Sequence, residues 1–314
     1  MLDLLTIDSI RDAARRIAPY VLRTPLLDHT TATGARLFLK PELLQSIGAF
    51  KLRGAFSLML TLPKDCPGVV AHSSGNHAQA VARAAKTLGL RAVIVMPEDA
   101  PALKRRRTAA DGAEIVTVGA DSDERVRMAD EIARTRGMVP VPPYDHPLIA
   151  AGQGTLALEM IEDVSRAGVR MDKFFCPVSG GGLMAGCAVA LAALSPGTEI
   201  VGVEPADGDD TKQSLAAGER VKVPPPRTLA DGLRVRTPGE KTFPVLKKHV
   251  RRIETVTDDE LLAAMRYALD ELRLVLEPSG AASLAVALRE GGTAAGVVLS
   301  GGNADPALVA RIAG

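Results

Sequence analysis

The feature that most constrains this chain is an alternation of short apolar runs with segments of helical spacing, sustained from residue 36 to the end. The runs RLFLK (36–40), RAVIVM (91–96), AEIVTV (113–118), KFFCPV (173–178), EIVGV (199–203) and GVVLS (296–300) are β-rich, and most are apolar nearly throughout. A strand apolar on both faces needs cover on both. Such runs with helices between them therefore predict an α/β fold of mostly parallel sheets flanked by helices. Further strands are expected at 68–71 and 252–256, with helices over 76–89, 122–136, 148–166, 257–272 and 305–313. Thr257-Asp258-Asp259-Glu260 is a capping box, and Asp305-Pro306 offers an N-cap with proline at the first helical position.

At ~100–200 residues per domain, 314 residues make two domains or one large α/β unit. Pro140, Pro142, Pro143 and Pro147 mark a crossing between lobes, and 224–226 a surface loop. The segment 68–143 is then a small domain inserted into a large one formed by 1–67 and 144–314. Lys+Arg 38 against Asp+Glu 37 leaves no field to recruit nucleic acid or an acidic membrane, and 3% aromatics leave little for base stacking. The longest apolar run, 183–194, is far short of the ~20 residues that span a bilayer. Three separated cysteines without a CxxC, and no export signal at the start, predict a reducing, cytoplasmic setting.

Four glycine-bearing segments could carry chemistry. Ser179-Gly180-Gly181-Gly182-Leu183 follows a strand and opens a helix, where free N–H groups and the helix dipole stabilise phosphate. It lacks the Gly-Lys-Ser/Thr of a Walker loop. It does match G-x-G-x-x-A through Ala185, with Glu204 ending the next strand, so a nicotinamide-dinucleotide dehydrogenase is one alternative and a packing turn another. In Gly48-Ala49-Phe50-Lys51-Leu52-Arg53-Gly54-Ala55, a helix would put Lys51 on one face with Ala55, Leu58 and Leu62. A lysine there is either desolvated, its amine freed for Schiff-base chemistry, or snorkelling at the helix edge. Ser73-Ser74-Gly75-Asn76-His77 offers hydroxyls and N–H groups to a carboxylate, or simply an N-cap, and His77 could equally be a structural histidine. Glu204-Pro205-Ala206-Asp207-Gly208-Asp209-Asp210 concentrates four carboxylates around a glycine, which suits a hard cation or a solvated turn. The run Lys104-Arg105-Arg106-Arg107 is expected to be a solvated helix face, and the remaining histidines show no zinc spacing.

Taken in order, the segments resemble the fold-type II pyridoxal-phosphate enzymes of the threonine/serine dehydratase and serine racemase group. The resemblance rests on GAFKLRGA (48–55), SSGNHAQA (73–80), PPYDHPLIAAGQGT (142–155), SGGGL (179–183), GVEP (202–205), LADGL (229–233), EPSGAA (277–282) and LSGGN (299–303). It runs from about residue 20 to the end. The dehydrogenase alternative explains only one of the eight.

The resemblance implies that Lys51 forms the internal aldimine with pyridoxal 5′-phosphate, beside Phe50. Asn76 would hydrogen-bond its 3′-oxygen, Gly180, Gly181, Gly182 and Leu183 its phosphate, and Ser300 its pyridine nitrogen. Ser73, Ser74, Gly75 and His77 would line the substrate pocket. The family usually has glycine where Ser179 stands, which a backbone cradle should tolerate. The implied reaction removes the α-proton of a small β-hydroxy amino acid, expels the β-hydroxyl and ends in a 2-oxo acid and ammonia.

Ser74 stands where racemase-like members keep a serine, able to act as acid or base opposite Lys51. Glu204, Gly208 (by its carbonyl) and Asp210 match the divalent-cation (Mg²⁺) site of the serine racemase and 3-hydroxyaspartate dehydratase branch. A homodimer is expected by the same resemblance. The chain stops about where the catalytic domain ends, so feedback control by isoleucine is not expected.

Overall fold

The computed structural model describes residues 5–73, 75–119 and 122–314. In chain order the helices and strands are α1 (Ile7–Ile17), β1 (Leu27–Thr30), β2 (Arg36–Pro41), α2 (Lys51–Met59), β3 (Val69–His72), α3 (Asn76–Leu88), β4 (Ala92–Pro97), α4 (Ala102–Ala110), β5 (Glu114–Val118), α5 (Ser122–Arg136) and β6 (Val139–Pro140). They continue with α6 (Pro147–Arg166), β7 (Lys173–Pro177), α7 (Gly182–Leu194), β8 (Glu199–Pro205), α8 (Asp210–Ala217), α9 (Phe243–His249), β9 (Arg252–Val256), α10 (Asp258–Tyr267), α11 (Pro278–Glu290), β10 (Ala295–Leu299) and α12 (Pro306–Ala313). A π-helical turn, Ala268–Leu272, extends α10, so the helix expected over 257–272 changes pitch near its end.

Two sheets result. One has the strand order β1-β2-β10-β7-β8-β9, antiparallel only between β1 and β2; the other is β5-β4-β3-β6 and wholly parallel. The second sheet is built from strands between Val69 and Pro140, and the first from strands on either side of that stretch. Parallel strands covered by helices account for the near-continuous apolar runs: β4 is buried at all six positions and β10 at all five. The expected strands at 68–71, 252–256 and 296–300 are β3, β9 and β10, each within a residue.

Local chemistry fixes the helix ends. Thr257 and Glu260 complete the capping box of α10, and Asp305 caps α12 ahead of Pro306. Helices α6 and α7 cross closely at two glycines. A Cβ on Gly154 would meet the Gly186 carbonyl oxygen at 2.7 Å, and one on Gly186 would meet the Gly154 nitrogen at 2.6 Å. That crossing brings α7 down onto α6 and sets the height of the loop that precedes α7.

Candidate active site

Three strand ends converge on one cavity. β3 leads into Ser73–Asn76, β7 into Ser179–Gly182, and β10 into Ser300, the positions outside the carboxyl ends of parallel strands where α/β folds bind ligands. The cavity has a volume of about 200 Å³, and its lining includes Lys51, Asn76, Gly180, Leu183, Tyr144 and Ser300. Lys51 is the first residue of α2. Its loop is stitched to the end of β10 by the Phe50 N–H donating to the Ser300 carbonyl at 3.1 Å and by a bridge between Ala49 and Gly301. The Lys51 ammonium donates to the Pro143 carbonyl at 2.7 Å, and its nitrogen lies 5.1 Å from the Phe50 ring centroid. Burial lowers its pKa to about 8, since among the described residues no carboxylate pairs with it to offset the lost hydration. Of the stripe expected behind it, Ala55 and Leu58 are buried, but α2 ends at Met59 and Leu62 lies past the helix.

The glycine loop is shaped by its neighbours. Gly181 is the N-cap of α7 with φ +88°, a conformation open to glycine, and Ser179 adopts φ +54° without that freedom. The Ser179 hydroxyl donates to the Gly232 carbonyl at 3.2 Å. A Cβ on Gly180 would collide with the Tyr144 ring, and one on Gly182 would meet the Tyr144 backbone at 2.8 Å. Asp145 accepts the N–H groups of Glu240, Lys241 and Thr242, and the Thr242 hydroxyl donates to the Gly180 carbonyl at 2.7 Å. The Gly180 carbonyl thus has its partner, while the N-terminus of α7 faces the cavity with the unpaired N–H groups every helix start carries.

Asn76 and Ser300 face the same space. Asn76 accepts from Asn303 Nδ2 at 2.8 Å and donates to Glu277 Oε1; the Ser300 hydroxyl is 3.4 Å from the Ser279 carbonyl. Ser73 accepts the Gly75 N–H at 3.1 Å. Ser74 lies outside the described residues. His77 lines the cavity, but its Nε2 is 2.8 Å from the Val141 carbonyl, which can only accept. Burial and the Lys51 charge lower its pKa to about 3, so the ring is neutral with its proton on Nε2 and has none to give a substrate carboxylate. The structural alternative fits its side chain, and only the backbone N–H at this position is left for binding.

Two other expectations need revising. Lys104 is not on a solvated face: it is 5% exposed, donating to Asp231 at 2.6 Å and to Glu277 at 3.2 Å, while Arg107 donates to Asn303. Sequence reasoning missed this group. Its only signals are the acids of LADGL and EPSGAA, which show no partner until the fold brings them to Lys104.

The acidic segment also divides. Asp207 and Asp209 turn outward, to the Arg227 N–H and to Gln213, whereas Glu204 and Asp210 are buried together. Glu204 accepts the N–H groups of Thr211 and Lys212, and among the described residues neither oxygen of Asp210 has a partner. Burial raises Glu204 to about 7; burial and the Glu204 charge raise Asp210 to about 8. Among the described residues no three His, Cys, Asp or Glu side chains gather as a metal cluster, so a cation here would rest on these two carboxylates and on carbonyl or water oxygens. Glu204 faces the start of α8 rather than the 180–185 loop, which removes the ribose-binding acid the dinucleotide alternative required.

A half-buried amine of lowered pKa, a glycine cradle at a helix N-terminus and an oriented amide in one cavity fit an aldehyde that also carries a phosphate. Comparison with known proteins agrees. Residues 17–301 match the family described as pyridoxal-phosphate dependent enzyme. The L-threo-3-hydroxyaspartate ammonia-lyase of Saccharomyces cerevisiae is 42% identical over 309 residues, covering 96% of this chain and 94% of that protein. The serine racemase of Schizosaccharomyces pombe is 39% identical, with coverage of 96% and 94%. The crystal structure of maize serine racemase superposes with a TM-score of 0.91 at 38% identity, covering 98% of this chain and 96% of that one. A crystal structure of threonine deaminase from T.th. superposes equally well, with a TM-score of 0.91 at 44% identity and coverage of 96% and 99%. The chain belongs to the pyridoxal-phosphate dependent enzymes of fold type II.

Proposed function

We propose that the protein is a dehydratase that converts small β-hydroxy amino acids of the serine and threonine type to a 2-oxo acid and ammonia, with serine racemisation as a side activity. The observation that carries this is the Lys51 amine, half-buried and of lowered pKa, in one cavity with Asn76, Ser300 and the 180–183 loop. Pyridoxal phosphate, when bound, supplies the electron sink that makes an amino acid's α-proton removable. Gly180, Gly181, Gly182 and Leu183 would hold its phosphate, Asn76 its ring oxygen and Ser300 its ring nitrogen, with Phe50 beside it.

Lys51 takes the α-proton: near neutral pH part of its amine is unprotonated, and the Pro143 carbonyl orients it. Ser73, Gly75 and the backbone N–H of His77 receive the substrate carboxylate. The β-hydroxyl leaves as water, and the released aminoacrylate becomes an imine that takes up one water, so serine becomes pyruvate plus ammonia. Ser74 is assigned the acid–base role on the opposite face that racemisation needs.

A second reading, 3-hydroxyaspartate as the substrate, is favoured by the 42% identity to the L-threo-3-hydroxyaspartate ammonia-lyase of Saccharomyces cerevisiae. Mg²⁺ is assigned to Glu204, Asp210 and the Gly208 carbonyl, because the two Asp210 oxygens are buried without partners. The strand content of the two sheets supports a small domain of 68–143 within a large one of 1–67 and 144–314. Exposed Leu22, Leu44 and Val275 on neighbouring segments support a homodimer, and three free thiols a cytoplasmic setting. Among the described residues no helix is long and apolar enough to cross a membrane.

The test is a substrate panel of serine, threonine and 3-hydroxyaspartate scored for 2-oxo acid, ammonia and D-amino acid, with and without Mg²⁺. The reading expects 2-oxo acid and ammonia in equal amounts. A holoenzyme that turns over none of the three sinks it.

A further inference from the structure

Glu277 is the N-cap of α11, yet its carboxylate makes no hydrogen bond to that helix. It turns instead to Asn76, accepting the amide Nδ2–H at one oxygen, and to the Lys104 ammonium at the other, 3.2 Å away. The close approach needs Gly301, where a Cβ would collide with Glu277 Oε1 and lie 3.3 Å from Asn76 Nδ2. At its other end the Asn76 amide accepts from Asn303, whose Nδ2 also donates to the Ile47 carbonyl at 2.8 Å. The amide therefore has a fixed sense, oxygen toward Asn303 and nitrogen toward Glu277. One of its two N–H bonds is left over for the cavity.

What keeps Glu277 in this role is Lys104. Glu277 is 2% exposed, and burial raises its pKa, as the Asp231 charge also does, while the Lys104 ammonium opposes both. Burial alone would lower Lys104, but Glu277 and Asp231 more than offset it, so the ammonium is kept. Lys104 comes from α4, beside the four-stranded sheet, whereas Glu277 and Asp231 lie 173 and 127 residues further along the chain. Its stem packs over Gly75, where a Cβ would meet it at 3.5 Å. Without its charge, Glu277 would be left in a poorly hydrated site with one amide donor, and protonation would be the cheaper state. A protonated Glu277 can donate, which removes the reason for Asn76 to present its nitrogen.

We propose that Lys104 is a positioning residue, which by holding the Glu277 carboxylate fixes the Asn76 amide with its free N–H toward the cofactor's ring oxygen. The proposal rests on the cavity being the pyridoxal-phosphate site. A neutral residue of similar length at 104 is the direct probe. Lys104→Met is expected to weaken uptake of pyridoxal phosphate by the apoprotein by about 10-fold and to change the ratio of visible to near-ultraviolet absorbance of the holoenzyme. Lys104→Arg, which keeps the charge, should restore both. Glu277→Gln should reproduce the Lys104→Met spectrum, and in the double variant the two changes should add less than about 2-fold to either alone, because they act through one group.

A Lys104→Met holoenzyme with wild-type affinity and spectrum overturns the proposal, and so do effects that multiply in the double variant. If Lys104→Met fails to fold, Glu277→Gln decides: an unchanged spectrum overturns the proposal and a shifted one supports it. A wild-type protein that takes up no pyridoxal phosphate would instead sink the reading of the cavity.

Discussion

The Lys51 ammonium donates to the carbonyl of Pro143 at 2.7 Å, so the amine proposed to do the chemistry is held by a backbone oxygen rather than by an acid. A carboxylate at that position would lock the lysine as a cation. A neutral carbonyl orients the nitrogen while leaving the amine easy to deprotonate. Lys51→Ala removes that nitrogen and should abolish both turnover and the visible absorbance of bound cofactor, with the fold retained because the cavity already has space there. A purified variant that keeps its colour would contradict the assignment.

The same contact predicts a pH profile. A lysine lowered to about 8 by burial gains its unprotonated form as pH rises to that value, and little more above it. The rate at which the apoprotein captures pyridoxal phosphate should rise about tenfold per pH unit below the bend and level off above it. For stability the sign follows from the unfolded lysine binding its proton more tightly: the cofactor-free protein gains stability as pH rises from about 8 to the ordinary lysine value of 10.5. Stopped-flow absorbance between roughly pH 6 and 10 checks the first statement. A capture rate still climbing at the upper end would mean that the amine is not desolvated.

How much of this was legible in the sequence depended on whether the signal was local. The strands β4 and β10 were readable because both faces are buried, which writes a continuous apolar run. β1 was not, because LDHT at a sheet edge alternates half-buried with exposed positions, and β6 is only two residues long. The glycine loop and Lys51 were readable as motifs. The role of Lys104 was not, because four consecutive cations look alike until the fold brings Asp231 and Glu277 to one of them. The acidic segment was visible, but only the start of α8 at Asp210 decides which acids turn inward.

Two neighbours in the glycine loop should respond in opposite ways. Ser179 carries a side chain at φ +54°, a left-handed conformation that costs a non-glycine residue about 1 kcal/mol. Ser179→Gly relieves that at the expense of one exposed hydroxyl bond to Gly232, so stability and cofactor affinity should stay at or above wild type. Gly180→Ala drives a methyl group against the Tyr144 ring and should cost about 1–3 kcal/mol as well as cofactor affinity. Thermal melts of the holoproteins check the order. A Gly180→Ala protein as stable and as well loaded as wild type would show that Tyr144 does not wall the cradle.

The buried pair Glu204 and Asp210 predicts a response to cations. Both sit above the usual carboxylate range because burial disfavours two negative charges side by side, and among the described residues Asp210 has no donor to satisfy it. Near pH 8, Mg²⁺ should raise the melting temperature and chelator should lower it, by a few degrees for ~1 kcal/mol. Asp210→Asn should remove the response while leaving the metal-free protein no less stable, since it deletes one of two repelling charges. Indifference of the wild-type protein to both cation and chelator would leave the pair as a structural acid dyad.

Ser74→Ala should separate the two proposed activities. Dehydration of an L-substrate needs one base, on the Lys51 side, whereas racemisation also needs a group to exchange a proton on the other face. Ser74→Ala should therefore cut formation of D-serine from L-serine by about 10²-fold or more, with a much smaller loss in pyruvate from L-serine. It should also slow pyruvate formation from D-serine, whose α-proton faces away from Lys51, and that third measurement distinguishes a lost acid–base group from a loosened pocket. A loosened pocket would raise KM for both enantiomers together. An equal loss of all three rates would count against a two-base arrangement and leave Ser74 as part of the carboxylate site.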